Sequence, residues 1–140
     1  MTDIRPLLLD THVAIWATED QTLAPKAVDA INTAHRAGAA ILVSAITAWE
    51  IGLLVSLNRL SLTANPERWF QRLLETPGVR LTGLSPEVLI ASSFLPGKPP
   101  RDPADRILLA TAREFGATLV TRDRAILAYG DSGQVRTLAC

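Results

Sequence analysis

The sequence contains one cysteine, Cys140, so no disulfide can form within its 140 residues. A chain without disulfides is typical of a reducing cytosol. No apolar run approaches the length that a bilayer span requires, and the segment MTDIRPLLLD lacks the apolar core of a signal peptide. These absences predict a cytoplasmic protein that makes no use of a membrane.

The chain also lacks an excess of charge of either sign. Lys and Arg together number 14, as do Asp and Glu, so the formal net charge is zero. This balance argues against a protein that coats nucleic acid through its overall charge, although it permits a local basic patch. With 48% hydrophobic and 20% charged residues the composition is that of a globular protein, and the length predicts one domain over residues 1–140.

Short apolar runs alternate with amphipathic segments along the chain. Leu7–Leu9 and Ile41–Val43 are apolar throughout, which is typical of strands buried on both faces of a parallel sheet. The alternation predicts an α/β fold with four to five short parallel strands and helices on both faces. Further strands are predicted at Val79–Leu84, Thr118–Val120 and near Val135, and helices at His12–Ala17, Pro25–Ala37, Ile46–Leu57, Asn65–Glu75, Pro86 to about Phe94, Pro103–Phe115 and a short stretch through Tyr129.

The stretch RDPADRILLATA indicates the start of a helix. Asp102 suits the capping position and Pro103 the first helical position. Asp105 falls within the arc that we expect to face the core, where a carboxylate is costly unless a charged or hydrogen-bonding group meets it. Asp105 could also complete a capping box at this helix start. The apolar members of the arc are Leu108, Leu109, Ala112 and Phe115.

The helix predicted at Ile46–Leu57 shows the same anomaly. Glu50 lies within its apolar arc and is too far from the helix start to act as a cap. A buried ion pair is the structural alternative to a functional role for this residue. The arc itself consists of Ile46, Trp49, Leu53, Leu54 and Leu57.

Two further acids directly follow predicted strands. Asp10 comes after the first strand and Asp123 follows the strand at Thr118–Val120. Parallel strands end at one edge of a sheet, and the helices between them start at that same edge. We therefore expect Asp10, Glu50, Asp105 and Asp123 to converge there, although each of the strand-end acids could simply cap the next helix.

Carboxylates crowded together repel one another and raise each other's pKa values, and a cation relieves that repulsion. Oxygen ligands without cysteine or histidine favour Mg²⁺ or Mn²⁺ over zinc, and such an ion can activate a water for phosphodiester hydrolysis. His12 could act as a ligand or general base, but we expect a minor positioning or packing role. Basic residues beside the acids could bind a polyanionic substrate, namely Lys98, Arg101, Arg106, Arg122 and Arg124.

Other functions are open to a chain with an acid after its first strand. A dehalogenase-type phosphatase requires a second Asp where this chain has His12, and a phosphorelay receiver requires a lysine after a late strand, which neither Lys26 nor Lys98 provides. The remaining alternative is a catalytically silent binding module whose acids are caps and ion pairs. The three tryptophans, Trp16, Trp49 and Trp69, are expected in the core or at a dimer contact rather than stacked on bases.

Four motifs carry a resemblance to a known family. The segments LLLDTHVAIW, SAITAWEI, DPADRILLATA and LVTRDRAI resemble, in order, the acidic motifs of PIN-domain ribonucleases. More narrowly, they resemble those of the VapC-type toxins of bacterial toxin–antitoxin pairs. The resemblance implies a three-layer PIN-like domain and a divalent-metal-dependent endoribonuclease, usually a homodimer, that a cognate antitoxin holds inactive.

The resemblance also implies roles for individual residues. By motif position Asp10, Glu50, Asp105 and Asp123 would be the catalytic and metal-binding acids. Asp102 could fill the third position instead of Asp105, but the helical arc and the motif both favour Asp105. Neighbouring hydroxyls that could orient metal-bound water are those of Thr11, Ser44 and Thr121.

Overall fold

A computed structural model describes residues 5–19 and 22–140. Within them, strands and helices alternate as the apolar runs predict. The elements in chain order are β1 (Leu7–Leu9), α1 (Thr11–Thr18), α2 (Pro25–Ala37), β2 (Ile41–Ser44), α3 (Ala45–Ser56), α4 (Pro66–Glu75), β3 (Val79–Thr82), α5 (Pro86–Ala91), α6 (Pro103–Phe115), β4 (Thr118–Thr121), α7 (Arg124–Asp131) and β5 (Arg136–Ala139).

The five strands form one parallel sheet in the order β3-β2-β1-β4-β5. Strand β1 is central, with Leu8 level with Leu42 of β2 on one side and with Leu119 of β4 on the other. Strands β1 and β2 are buried along their whole length, which is why Leu7–Leu9 and Ile41–Val43 are apolar. The predicted parallel sheet is confirmed.

Helices cover both faces of the sheet and divide the core in two. One cluster joins Leu9, Val43 and Val120 of the strands to residues of α1, α2, α3 and α4. The other joins Leu8, Leu42 and Leu119 to α6 and α7. Successive strand residues point to opposite faces, so each of the strands β1, β2 and β4 contributes to both clusters. The result is the three-layer arrangement that the sequence predicts.

The helix boundaries follow the predicted capping signals. Asp102 caps α6, Pro103 is its first residue, and Gly116 ends it in the left-handed conformation with φ 60°. Asn65 and Ser85 cap α4 and α5 in the same way, each side chain accepting a hydrogen bond from a backbone N–H of the first turn. Residues 96–101 lie in a loop between α5 and α6.

Part of the predicted core is wrong. Three residues of the arc assigned to α3 are exposed, Trp49 at 59%, Leu53 at 42% and Leu57 at 52%. Ile46 of that arc is buried as predicted, but the helix also buries Thr47 and Ile51, which the arc did not include. Because α3 is apolar over most of its circumference, hydrophobic periodicity cannot select the buried face. Phe115 of α6 is likewise exposed, whereas its arc partners Leu108, Leu109 and Ala112 are buried as predicted.

The other two tryptophans lie closer to expectation. Trp69 is buried in the first core cluster, and Trp16 is partly buried against it. None of the helices in the described ranges combines the length and the apolarity that crossing a membrane requires.

Candidate active site

Asp10 is held at the carboxyl edge of the sheet by strand β4. Leu9 is level with Val120, so the next residues of the two strands, Asp10 and Thr121, are neighbours. The Thr121 hydroxyl donates to Asp10 Oδ2 over 2.7 Å, and the same hydroxyl oxygen accepts the backbone N–H of Asp123 at 3.0 Å. One threonine therefore fixes both strand-end acids relative to each other.

Glu50 is held by a second threonine. The Thr11 hydroxyl donates to Glu50 Oε1 over 2.6 Å and lies 3.1 Å from the hydroxyl of Thr47. Thr11 has one hydroxyl proton and gives it to Glu50, so Thr47 must donate to Thr11. This chain of bonds joins α1 to α3. The partner of Glu50 is thus a hydroxyl rather than a cation, and the buried ion pair that we considered for this residue is not what the structure shows.

Two of the acids also cap helices. Asp123 Oδ1 accepts the backbone N–H of Ile126 at 3.0 Å at the start of α7. Asp102 Oδ1 accepts the N–H of Asp105 at 3.0 Å at the start of α6. Capping explains the position of Asp102, as predicted. In Asp123, capping uses only one of the two carboxylate oxygens.

The pKa of Asp105 shows that the acids share one site. Its pKa is raised to about 7, first by burial and then by the negative charges of Asp102, Asp123, Asp10 and Glu50. Coulombic interaction falls with distance, so these effects require all four acids to lie near Asp105. The structure therefore brings the four predicted acids together, and Asp102 lies with them.

Burial also raises the pKa values of Asp10 and Glu50. The hydrogen bond from Thr121 lowers the pKa of Asp10 and the one from Thr11 lowers that of Glu50, but neither cancels the cost of burial. The charge of Asp10 raises the pKa of Glu50 further. The site therefore stores electrostatic repulsion that a bound cation would relieve.

The donor set suits a hard divalent ion with an incomplete protein shell. Among residues 5–19 and 22–140, no three carboxylate, imidazole or thiol groups lie close enough to hold an ion by themselves. Mg²⁺ commonly binds through one or two carboxylates, with waters and substrate phosphate completing its shell. Carboxylates with raised pKa values at a half-buried edge therefore fit such an ion without forming a closed cage.

Two more hydroxyl groups lie along this edge of the sheet. Ser44 follows the buried run of β2, and its Oγ accepts the N–H of Ile46 at 3.1 Å as the cap of α3. Thr82 of β3 is level with Ser44 and is 4% exposed, and its Oγ1 has no hydrogen-bond partner among the described residues. Sequence reasoning missed Thr82 and Thr47. The signal for Thr82 was a hydroxyl at the end of a strand, as at Ser44 and Thr121.

Two of the predicted RNA-binding arginines, Arg106 and Arg122, donate hydrogen bonds to backbone carbonyls of the protein. Arg106 is half-buried, with its Nε donating to the Pro100 carbonyl at 2.7 Å and its guanidinium also bonding to the Ser92 carbonyl at 3.4 Å. These bonds fix the loop before α6, and RNA binding by Arg106 stays a prediction. The predicted cations Lys98, Arg101 and Arg124 are exposed.

Arg122 is exposed but held in place by several groups. Its Nε donates to the Cys140 carbonyl at 2.8 Å and its NH2 group to the Thr22 carbonyl at 3.2 Å. Its guanidinium carbon also lies 4.1 Å from the centre of the Trp16 ring. The side chain is therefore fixed beside the site rather than moving freely in solvent.

Comparison with known proteins identifies the fold. Residues 7–131 match the family model described as PIN domain. The chain is 39% identical over 124 residues to Ribonuclease VapC22 of Mycobacterium tuberculosis, covering 88% of this chain and 91% of that protein.

Solved structures agree with the predicted three-layer PIN-like fold. A chain of VapBC2 from Rickettsia felis, crystallised on a promoter DNA fragment, has a TM-score of 0.66 at 12% identity and covers 96% of this chain and 98% of its own. A chain of DNA-bound VapBC from Salmonella typhimurium has a TM-score of 0.65 at 16% identity, covering 98% of both chains. The fold, the ordered acids and the sequence match to a curated relative agree: this chain belongs to the PIN-domain family and, within it, to the VapC group.

Proposed function

We propose that this chain is a divalent-metal-dependent endoribonuclease, the toxin of a toxin–antitoxin pair, acting in the cytoplasm as a single domain over residues 1–140. The observation that carries the proposal is the cluster of Asp10, Glu50, Asp105 and Asp123 at one edge of the sheet, with burial and mutual charge raising the pKa of Asp105 to about 7. A relative that covers most of the chain bears the name of a ribonuclease. Endoribonuclease chemistry accounts for both facts.

Asp10 and Asp105 would hold Mg²⁺ or Mn²⁺, with Glu50 and Asp123 nearby to accept hydrogen bonds from its waters. When bound, the ion would supply positive charge against the phosphate oxygens and lower the pKa of a coordinated water. The protein contributes the rigidity of the acids, since Thr121 fixes Asp10 and Thr11 fixes Glu50. Thr11, Ser44 and Thr121 were predicted to orient metal waters. Here two of them act on the carboxylates directly.

The exposed cations beside the acids would hold the RNA backbone. Lys98, Arg101 and Arg124 are solvent-exposed and close in sequence to the caps of α6 and α7. Phosphate contacts by such residues position a nucleic acid without reading its sequence. This arrangement gives a neutral protein enough local positive charge to bring a polyanion to an acidic site.

We further propose a cognate antitoxin and a homodimer as partners. The similar structures are described as VapBC complexes, in which toxin and antitoxin are bound together. The exposed apolar stripe of α3 (Trp49, Leu53 and Leu57) provides surface suited to a protein partner. Copurification with the antitoxin, and the mass of the isolated chain by light scattering, test these two expectations separately.

The decisive experiment is cleavage of RNA by the purified chain with Mg²⁺ or Mn²⁺. Asp10→Asn and Asp105→Asn should abolish cleavage without unfolding the protein, and EDTA should stop the parent chain. Asp29→Asn is the matched control, because Asp29 is exposed on α2 and absent from the acidic cluster. Full activity in either active-site variant, or in EDTA, would contradict the assignment.

The catalytically silent binding module remains the second candidate, because Asp102 and Asp123 cap helices. It predicts no cleavage of any RNA and no effect of Mn²⁺ on the melting temperature. A nuclease site should gain stability on binding the ion, because only the native state binds it.

A further inference from the structure

Three flat side chains lie in contact beside α1, namely those of His12, Trp16 and Arg122. The rings of His12 and Trp16, one helical turn apart, have centroids separated by 5.7 Å and planes inclined at 45°. The guanidinium of Arg122 lies over the Trp16 ring at 4.1 Å from its centroid. Trp16 thus contacts both of the others. We call these three residues the platform.

The platform is rigid. The two hydrogen bonds from Arg122 to the carbonyls of Cys140 and Thr22 fix the guanidinium, and the guanidinium in turn holds the Trp16 ring. Trp16 is also partly buried against the core. Surfaces that are ordered before binding lose little conformational entropy when a ligand binds, so the affinity gained from contact is larger.

The platform borders the acidic cluster and is open to solvent. His12 follows Asp10 and Thr11, and its charge is among the effects that lower the pKa values of Asp10 and Glu50, against the larger effect of burial. Arg122 lies between Thr121 and Asp123 in sequence. Both His12 and Arg122 are exposed, whereas Trp16 between them is partly buried. A ligand at the acids could therefore also contact His12 and Arg122.

An RNA that approaches this site meets four carboxylates, so phosphate contacts at the centre of the site are repulsive without an ion. The bases are uncharged, so the carboxylates do not repel them. Aromatic rings and arginine planes stack on any base, because every base has a π face. Bases inside a duplex are stacked on each other and cannot reach such a surface, whereas unpaired bases can.

We propose that His12, Trp16 and Arg122 form a stacking subsite that holds one unpaired base of the RNA next to the phosphodiester to be cut. This inference rests on the proposed ribonuclease function. The exposed His12 and Arg122 make the contact with the base, and Trp16 supports them from beneath. A subsite of this kind positions the unpaired base relative to the phosphodiester to be cut.

The histidine offers the sharpest test, because its ring could instead be a metal ligand or a general base. Stacking requires only a flat ring, so His12→Phe should retain the function that His12→Ala loses. A ligand or a base requires the imidazole nitrogens, and phenylalanine would not replace them. His35→Ala is the matched control, since His35 is the other histidine and is exposed on α2.

Binding is measured first, without cleavage, by fluorescence anisotropy of a labelled single-stranded oligoribonucleotide in the Asp10→Asn background with Mg²⁺. Adding His12→Ala should raise Kd about tenfold, the loss expected for one base–aromatic stack. His12→Phe and His35→Ala should leave Kd within about twofold of the background, a change too small for the loss of a stack. A hairpin stem of matched length should bind weakly, with no effect of His12→Ala.

A second arm locates the base. Oligonucleotides with an abasic ribose at each position in turn should include one position at which His12→Ala no longer matters. In the active protein, His12→Ala should raise KM and leave kcat nearly unchanged. An unchanged Kd in His12→Ala, a loss that phenylalanine fails to restore, or an equal loss at every abasic position would overturn the subsite. If the His12 variants and the abasic positions change Kd as expected but the parent chain cleaves no RNA, the ribonuclease function is overturned instead.

Discussion

Thr121 donates its hydroxyl proton to Asp10 over 2.7 Å and joins residues that are 111 positions apart in the chain. The same oxygen accepts the N–H of Asp123. The position of the central carboxylate therefore depends on a residue that carries no charge and cannot itself perform the chemistry. Neutral partners of this kind commonly affect a site as strongly as some of its ligands.

Thr121→Val should reduce cleavage about 10- to 100-fold, as expected for loss of a group that orients a ligand. It should also cost about 1–3 kcal/mol of unfolding free energy, because Asp10 loses a donor and the Asp123 N–H loses an acceptor. Steady-state cleavage and urea titration measure the two effects. Thr111→Val is the control, because that buried hydroxyl bonds only to the Ile107 carbonyl of its own helix. Equal activity in the two variants would exclude an orienting role for Thr121.

Stability should depend on pH through Asp105 when no metal is present. Burial and neighbouring charges raise its pKa from 3.8 in the unfolded chain to about 7 in the folded one. The folded state therefore binds more protons between these values, and the unfolding free energy falls as the pH rises from about 4 to about 7.

Asp105→Asn removes this ionisation. The variant should be more stable than the parent chain at pH 8 and closer to it at pH 4.5, as measured by urea titration in EDTA at both values. Asp29→Asn should follow the parent chain throughout. The contrary result is a parent chain whose unfolding free energy rises from pH 5 to pH 8 in EDTA, while that of Asp105→Asn does not change with pH. This result would contradict the mutual repulsion of the acids.

Mn²⁺ should stabilise the parent chain. An ion that binds only the native state at 100 times its Kd adds about 2.7 kcal/mol, which thermal denaturation detects readily. Asp10→Asn and Asp105→Asn should lose most of this gain, whereas Asp29→Asn should keep it. An equal gain in all four proteins would indicate ion binding elsewhere.

Glu50→Gln should weaken Mn²⁺ binding and leave the metal-free protein as stable as before, or more so. The amide oxygen can still accept the Thr11 hydroxyl proton, and the substitution removes a charge that raises the pKa of Asp105. The melting temperature with and without Mn²⁺ checks both statements. A large loss of stability in metal-free buffer would show that the ionised carboxylate has a structural role.

Thr82→Val should stabilise the protein by about 1 kcal/mol, since a methyl group of the same shape replaces a buried hydroxyl that has no hydrogen-bond partner in the described part of the chain. Thr47→Val should instead destabilise it, because that hydroxyl donates to Thr11. Urea titration of the pair distinguishes the two environments. Destabilisation by Thr82→Val would reveal a hydrogen-bonded water at this position.

The local sequence pattern was sufficient to predict the strands, the helix caps and the position of Asp105. It also selected Glu50, but from an arc in which Trp49, Leu53 and Leu57 face solvent. Glu50 lies at the border between the exposed and buried faces of a helix that is apolar nearly all round. Periodicity reports which residues are apolar and cannot report whether sheet or solvent faces them.

Contacts between remote segments could not be predicted. Arg106 and Arg122 have the charge and the sequence position expected of RNA-binding residues, but nothing in the sequence indicates that they also bond to the carbonyls of Pro100, Ser92, Cys140 and Thr22. Backbone carbonyls carry no signature in a sequence, so the capture of a long side chain by a distant loop is visible only in the folded chain.

The order of the strands has a consequence during synthesis. Strand β1 lies between β2 and β4, so it lacks one of its two neighbours until β4 has been synthesised. Until then Asp10 has no Thr121 to hold it, and Asp105 and Asp123 have not yet assembled around it. A nascent or prematurely terminated chain that stops before β4 therefore has no assembled acidic edge.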